Sequence, residues 1–242
     1  MNENFMYFAK HGKIFIRCVP VLRQRFVTEG FTLKTGNYDK DVKEVFGMGK
    51  LFTVKQVHGD KVLKITKKHM KKMRKEKADA LITNEPGIPV AVRVADCVAN
   101  ILIDPQKKAV AAVHSGWRGV ENKLVIKALD AMKKAYKTKP SGLLAVMSAS
   151  IMPCCYEVGE EVYDRMKKDK VFKDVFTVKN GKIYMDMKKG NYNMLIKAGV
   201  KKENIFINDT CTKCGPEDKF YSYRREGKKA GRHVGFVMIK PV

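Results

Sequence analysis

Asn100-Ile101-Leu102-Ile103-Asp104, Pro105-Gln106-Lys107-Lys108 and Ala109-Val110-Ala111-Ala112-Val113 read together as two strands and the turn between them. Both apolar runs have strand length, and a four-residue connection headed by proline fits a hairpin built on a type I turn. Pairing Asp104 with Ala109 and counting back sets Ala99 opposite His114. Strand side chains alternate between faces, so Cys97 and His114 become diagonal neighbours on one side, with Cβ atoms roughly 7 Å apart.

Further strand-like runs lie outward from this hairpin. Val90–Ala95 is rich in β-branched residues and follows the Pro86-Gly87 turn signal. Lys13–Val19, Leu51–Val57, Leu143–Met147, Ile205–Asn208 and Val234–Ile239 have the same character. Helical spacing of apolar residues appears at Asn122–Tyr136, Glu160–Lys168 and Asn191–Ala198, with Gly199 where a helix end uses a left-handed glycine. No Gly/Ser linker, repeat or low-complexity block divides residues 1–242. The expectation is one α+β domain, a mixed β-sheet core with helices packed on it.

The chemistry gathers at the ends of these strands. Ala95-Asp96-Cys97 supplies a thiol, and His114-Ser115-Gly116-Trp117-Arg118-Gly119 an imidazole beside it. Gln56-Val57-His58-Gly59 ends another apolar run in a second imidazole. Two His and one Cys are the ligand count of a catalytic zinc site that keeps its fourth position open. Spacing alone also allows plainer readings, a hydrogen-bonded strand-end histidine and a small buried thiol. Nothing local sets His58 beside the other two.

Five motifs occur in one order: Gln56-Val57-His58-Gly59, Ala95-Asp96-Cys97, Ala112-Val113-His114-Ser115-Gly116-Trp117-Arg118-Gly119, Pro153-Cys154-Cys155-Tyr156-Glu157-Val158-Gly159 and Ser222-Tyr223-Arg224-Arg225. That series closely resembles the laccase-domain, or YfiH-like, family of purine nucleoside phosphorylases, once called multicopper polyphenol oxidases. The likeness runs from about Phe26 to the C-terminus. It implies that His58, Cys97 and His114 are the ligands of one zinc ion and the catalytic centre, with copper as the alternative ion. It also implies phosphorolysis of adenosine, inosine or methylthioadenosine, with adenosine deamination as a side activity. Purine nucleosides and phosphate are then the expected small-molecule partners.

The chain departs from the family in places. Thr28-Glu29-Gly30-Phe31 stands where an arginine and a Gly-Gly pair are usual, Val98-Ala99 follows Cys97 in place of Leu-Pro, and Ser148–Met152 is poorer in Gly and Pro. These changes touch the expected pocket walls and not the metal ligands. Among substrate contacts, Arg118 comes two residues after Gly116, at the expected start of a helix, where free amides favour anions. A phosphate contact and a surface salt bridge are its two readings. Tyr156 is a candidate to stack on a purine or a core residue, and Arg225, with Arg224 and Arg232, is a further basic candidate. Trp117 is expected to pack beneath the loop carrying His114. Asp96 is the nearest carboxylate for the proton transfers of deamination, with a turn residue as the alternative.

At 242 residues with 45% apolar content, the chain is long enough for one domain with a full core. It has no long apolar stretch of membrane-spanning length and no signal-peptide pattern in residues 1–18, so no membrane is expected and the reading is cytoplasmic. Six cysteines do not make a secreted disulfide framework in a chain of this size. Cys211-Thr212-Lys213-Cys214, with no partner pair downstream, has the spacing of a redox pair or half of a zinc knuckle, and is read in preference as a variation on the Cys-Thr common at this point of the family.

The net charge of +24 argues for a polyanion partner. Lys67 to Lys77 places seven Lys or Arg in eleven positions, with Met70 and Met73 on one face of an expected short helix. Few aromatics lie between the lysines to stack bases, so a solvated basic surface is favoured and nucleic acid enters only as a non-specific ligand. Two further enzyme readings use the same residues. Cys97 with His114 could serve a thiol hydrolase or amidase. A copper-dependent polyphenol oxidase is poorer, because several coppers need many histidines and the chain has five.

Overall fold

In the computed structural model, which describes residues 1–70 and 76–241, fourteen strands form three sheets. An antiparallel sheet runs β1 (Phe5–Lys10), β2 (Lys13–Cys18), β3 (Val27–Thr32), β14 (His233–Ile239), β6 (Val90–Val94). A mixed sheet runs β13 (Ile205–Ile207), β9 (Leu144–Met147), β7 (Val98–Asp104), β8 (Ala109–Ser115), β5 (Ala80–Thr83), β4 (Val62–Lys64), with its two edge pairs parallel. A small sheet joins β10 (Glu157–Val158), β12 (Lys182–Met185) and β11 (Phe176–Lys179).

The two large sheets pack face to face, and alternation along each strand explains why. On β7, Ala99, Ile101 and Ile103 enter the layer between the sheets, while Val98 and Leu102 meet the helices Leu124–Tyr136 and Met187–Lys197 behind. On β14, Val237 and Ile239 face the same inner layer, and Val234, Phe236 and Met238 pack under the helix Tyr38–Phe46. Each fully buried Val, Leu or Ile contributes about 1.5–3 kcal/mol of hydrophobic stabilisation. The order is thus helix, sheet, sheet, helices, an α+β fold with a mixed sheet at its centre and a second sheet beyond that expectation.

The hairpin forms in the register read from its sequence, with Asp104 opposite Ala109 and Ala99 opposite His114. Buried Asp104 holds the turn by accepting from the amides of Gln106 and Lys107, both at 3.0 Å. The expected strand Leu51–Val57 does not form a ladder; it meets its neighbours only at the bridges Phe52–Val90 and Lys55–Lys77. The reason lies in Gln56, whose side-chain amide bonds both the carbonyl and the amide of Arg93 at 2.8 Å, taking the place of a backbone pair.

The expected helix Asn122–Tyr136 forms as Leu124–Tyr136, and Lys123, at φ 55°, separates it from a short helix ahead of it, Trp117–Glu121. The expected Asn191–Ala198 starts earlier, at Met187, where Asp186 caps the helix by accepting from the Lys189 amide at 2.9 Å. Gly199 has φ 91°, the left-handed conformation expected after that helix. Of the basic run, Lys67–Met70 forms one helical turn, and the expected pairing of Met70 with Met73 lies outside the described residues. No helix among the described residues is long and apolar enough to cross a membrane.

Candidate metal centre and cavity

The alternation that buries Ala99 and Ala112 between the sheets also carries Cys97 and His114 toward that layer, at the open end of the hairpin. His58 comes to them through a residue that sequence reading overlooked. Asp79, fully buried just ahead of β5, accepts the amides of Val57, His58 and Gly59 at 3.1, 3.0 and 2.8 Å. This wraps the loop around one carboxylate and holds His58 in the left-handed conformation, φ 57°. The same carboxylate takes the His114 Nδ1 proton at 2.8 Å. An imidazole bonded at Nδ1 keeps Nε2 free as a ligand atom, the arrangement common behind metal-binding histidines. The only signal of Asp79 in the sequence is an isolated acid at the head of the apolar run Ala80–Thr83.

Cys97 is aimed by its neighbour. Asp96 has φ 81°, and its buried carboxylate accepts from Thr212 Oγ1 at 2.6 Å, Ser222 Oγ at 3.1 Å and the Arg224 amide at 2.7 Å. With both oxygens occupied, Asp96 serves as a turn anchor. Cys97 Sγ then stands 4.0 Å from His58 Nε2, and the donor atoms of His58, Cys97 and His114 all lie within 4.8 Å of one another. The two imidazoles meet edge to face, with centroids 4.7 Å apart. Gly116 leaves room for this: a Cβ there would sit 3.0 Å from Cys97 Sγ and 3.2 Å from His58 Cδ2.

Burial alone would push the Cys97 thiol up, but the adjoining His114 charge and hydrogen bonds from both histidines bring it down to about 6. Burial works against a charged His114 as well, yet the Cys97 thiolate and Asp79 hold it up at about 9. For Asp79, burial is outweighed by His114 and by the Gly59 and Val57 amides, which keep the carboxyl below its ordinary range. The centre favours a thiolate over a thiol. A thiolate and two imidazoles within reach of one point are a donor set suited to zinc, and the donors sit close enough to share an ion without rearranging the fold.

A cavity of about 780 Å³ opens onto these donors. Arg118 and Tyr156 line it, and so do Trp117, Arg93, Arg224 and Arg232. Arg118 sits on the short helix expected after His114 and lies over the Trp117 ring, 4.2 Å from its centroid. Its guanidinium has no hydrogen-bond or ion-pair partner among the described residues. Trp117 is half-buried against the core and also forms part of the wall. Tyr156 is half-buried with the Arg224 guanidinium 5.3 Å above its ring, and Arg224 in turn donates to the Glu157 carbonyl at 3.1 Å.

Arg225 does not reach the cavity. Its guanidinium donates to the carbonyls of Thr212, Lys213 and Phe220 and pairs with Glu226, bracing the loop behind Asp96. The sequence reading missed Arg93. It sits on the face of β6 opposite Val92 and Val94, and its side chain reaches the Val54 carbonyl at 3.2 Å at the cavity wall.

Fold and site together define a laccase-domain architecture with a His-Cys-His centre. Residues 36–240 match the family of multi-copper polyphenol oxidoreductase laccases. A purine nucleoside phosphorylase of Clostridium acetobutylicum is 33% identical over 83% of this chain and 82% of its own. One from Aquifex aeolicus is 32% identical over 86% and 92%. An adenosine deaminase, RL5, from an unknown prokaryotic organism is 36% identical over 65% of this chain and 60% of its own. The crystal structure of Bacillus licheniformis YfiH superposes with a TM-score of 0.87 at 24% identity, covering 97% of this chain and 99% of that one. The chain belongs to the laccase-domain, YfiH-like family of enzymes.

Proposed function

We propose that the protein is a zinc-dependent purine nucleoside phosphorylase. The observation that carries this is the charge of the cavity. Arg93, Arg118, Arg224 and Arg232 line it, and its one lining carboxylate, Asp96, has both oxygens engaged. Such a wall suits an anionic co-substrate, since guanidinium groups bind phosphate through paired, charge-assisted hydrogen bonds. Deamination needs a carboxylate free to shuttle protons. None lines the cavity among the described residues, so adenosine deamination is the minor activity.

In phosphorolysis a phosphate oxygen attacks ribose C1′, the C1′–N9 bond breaks, and the purine leaves with the bonding electrons and gains a proton. Arg118, with its unengaged donors, holds the phosphate, and Arg232 adds positive charge to the same wall. Tyr156 and Trp117 offer flat faces for the purine, whose stacking fixes the ring relative to the arginines. His58, Cys97 and His114 hold the zinc ion, with Asp79 fixing the His114 tautomer. When bound, the ion supplies Lewis acidity at the floor of the cavity. Copper is the less apt occupant for oxidase chemistry, because the His58–Cys97–His114 cluster has only two histidines and no other donor cluster among the described residues contains any.

A second reading rests on the chain Asp79, His114, Cys97, which has the order of a thiol-hydrolase triad. The orientation of His58 favours the metal instead. A triad needs one imidazole, whereas here a second is turned onto the sulfur by three amides bonded to Asp79. The test is base release from adenosine and inosine with and without phosphate, in parent protein and in His58→Ala and Cys97→Ala. Phosphate-dependent release lost with the metal supports the proposal. Full phosphorolysis by metal-free Cys97→Ala overturns it. Iodoacetamide reports the state of the thiol: with zinc removed, Cys97 should alkylate increasingly as pH rises through about 6, and bound zinc should protect it.

A further inference from the structure

The cysteine pair at 154–155 and the C-x-x-C at 211–214 are far apart in sequence and together in space. Cys154 and Cys214, 60 residues apart, have their sulfurs 3.6 Å from each other. The sulfurs of Cys154, Cys155, Cys211 and Cys214 all lie within 4.8 Å of one another, and all four are free thiols. A disulfide needs about 2.05 Å between sulfurs, whereas a tetrahedron built on zinc–sulfur bonds of 2.3 Å has edges of about 3.8 Å. The partner pair that the C-x-x-C lacks downstream stands upstream.

The backbone around the cluster is built to hold it. The Cys155 amide closes a turn onto Met152 O at 2.8 Å, presenting both sulfurs of the pair. Cys211 bridges to Ser150 in parallel, and the Gly215 amide closes the C-x-x-C turn onto Cys211 O at 2.9 Å. A Cβ at Gly215 would lie 2.4 Å from that oxygen, so the turn needs glycine. Next to it stands a buried cation. Lys188 is 4% exposed, donates to the carbonyls of Asn208 and Thr210, and has no ion pair with a carboxylate among the described residues. A buried ammonium is costly without a countercharge, and four thiolates around a divalent ion leave about two negative charges.

We propose that Cys154, Cys155, Cys211 and Cys214 bind a second zinc ion, closed by four sulfurs and structural in role. It is independent of the His58–Cys97–His114 centre and of the proposed reaction. The ion clips the turn ahead of Tyr156 to the loop whose Thr212 hydroxyl holds Asp96. Chelation at this site therefore braces one wall of the cavity without touching substrate.

The test counts zinc by elemental mass spectrometry in full-length protein purified under reducing conditions without added metal. In His58→Ala/His114→Ala, which empties the first centre, about one zinc per chain should remain. Adding Cys154→Ser and Cys214→Ser should take that to none and lower Tm. A folded His58→Ala/His114→Ala protein without zinc overturns the proposal, as does a Cys154–Cys214 disulfide found in the parent protein by non-reducing peptide mapping. Should the serine variants not fold, the same histidine variant loaded with cobalt gives the answer. Sulfur-to-cobalt absorption near four thiolates per ion supports the cluster, and its absence overturns it. Retention of zinc in the histidine variant separates this site from the first centre, whatever the fate of the proposed reaction.

Discussion

The Asp79 carboxylate receives the His114 Nδ1 proton at 2.8 Å while its two oxygens also hold three consecutive amides of the loop carrying His58. One buried acid thus orients both imidazoles of the centre. In Asp79→Asn the amide nitrogen turns donors toward donors, so either the His58 loop or the His114 ring must move. Partners of this kind behind metal ligands are worth about 10–100-fold in metal affinity. The expected result is that loss in a chelator competition, with far-ultraviolet circular dichroism retained. Unchanged affinity would show that the three donors converge without Asp79.

Gly116 tests the geometry from the opposite side. Its backbone, φ −76°, is open to alanine, so any effect of Gly116→Ala comes from the added methyl group. That methyl group would press on Cys97 Sγ and His58 Cδ2, at 3.0 and 3.2 Å. Zinc affinity should fall about tenfold or more, as expected when ligand placement is disturbed, while Tm stays within a few degrees of the parent. A variant that binds zinc as tightly as the parent would mean that the two ligands have slack.

Much of this arrangement was legible in the sequence, and the failures have physical reasons. Two continuous apolar runs around a proline turn pointed to one register for β7 and β8, with a slip of one residue as the alternative, and the pairing of Ala99 with His114 formed as read. His58 could not be placed, because its position depends on Asp79, which looks in sequence like any acid before a strand. Leu51–Val57 has strand composition, yet the Gln56 side chain does the pairing that a backbone would have done. β3 was invisible for a related reason. Glu29 and Gly30 break its apolar pattern, although every residue of the strand is buried. Arg225 and its neighbours are chemically alike, and only the fold shows which of them faces carbonyls and which faces the cavity.

Glu29 gives a prediction about pH. It is fully buried in β3, its Oε1 accepts the Cys18 amide at 3.1 Å, and its Oε2 has no hydrogen-bond partner. Burial pushes its carboxyl up to about 7, against the opposing pull of Arg17 and the Cys18 amide. The folded protein therefore holds this proton more tightly than the unfolded chain does. The resulting stabilisation is complete below the ordinary carboxylate pKa and is lost as pH rises through about 7. Glu29→Gln should match the parent in Tm near pH 4 and exceed it at pH 8 by about 2 kcal/mol, roughly 4–8 °C. Parallel Tm–pH curves for the two proteins would refute this.

Arg118 and Arg225 separate binding from bracing. Arg118 lies over the Trp117 ring at the cavity wall, with donors that meet no protein acceptor among the described residues. Hydrogen bonds to a charged group contribute about 1.5–3 kcal/mol, so Arg118→Ala should raise KM for phosphate about 10–100-fold. Arg118→Lys should recover part of that loss, since it keeps the charge but not the paired donors. Tm should barely move in either variant. Arg225→Ala should do the reverse, because its guanidinium satisfies the carbonyls of Thr212, Lys213 and Phe220 and leaves none of that bonding to substrate. Tm should drop by several degrees with KM for phosphate nearly unchanged. Steady-state kinetics with varied phosphate, beside thermal melts of the same preparations, tests both halves. If the two arginines exchanged these effects, the anion would bind behind Asp96 and not in the cavity that opens onto Cys97.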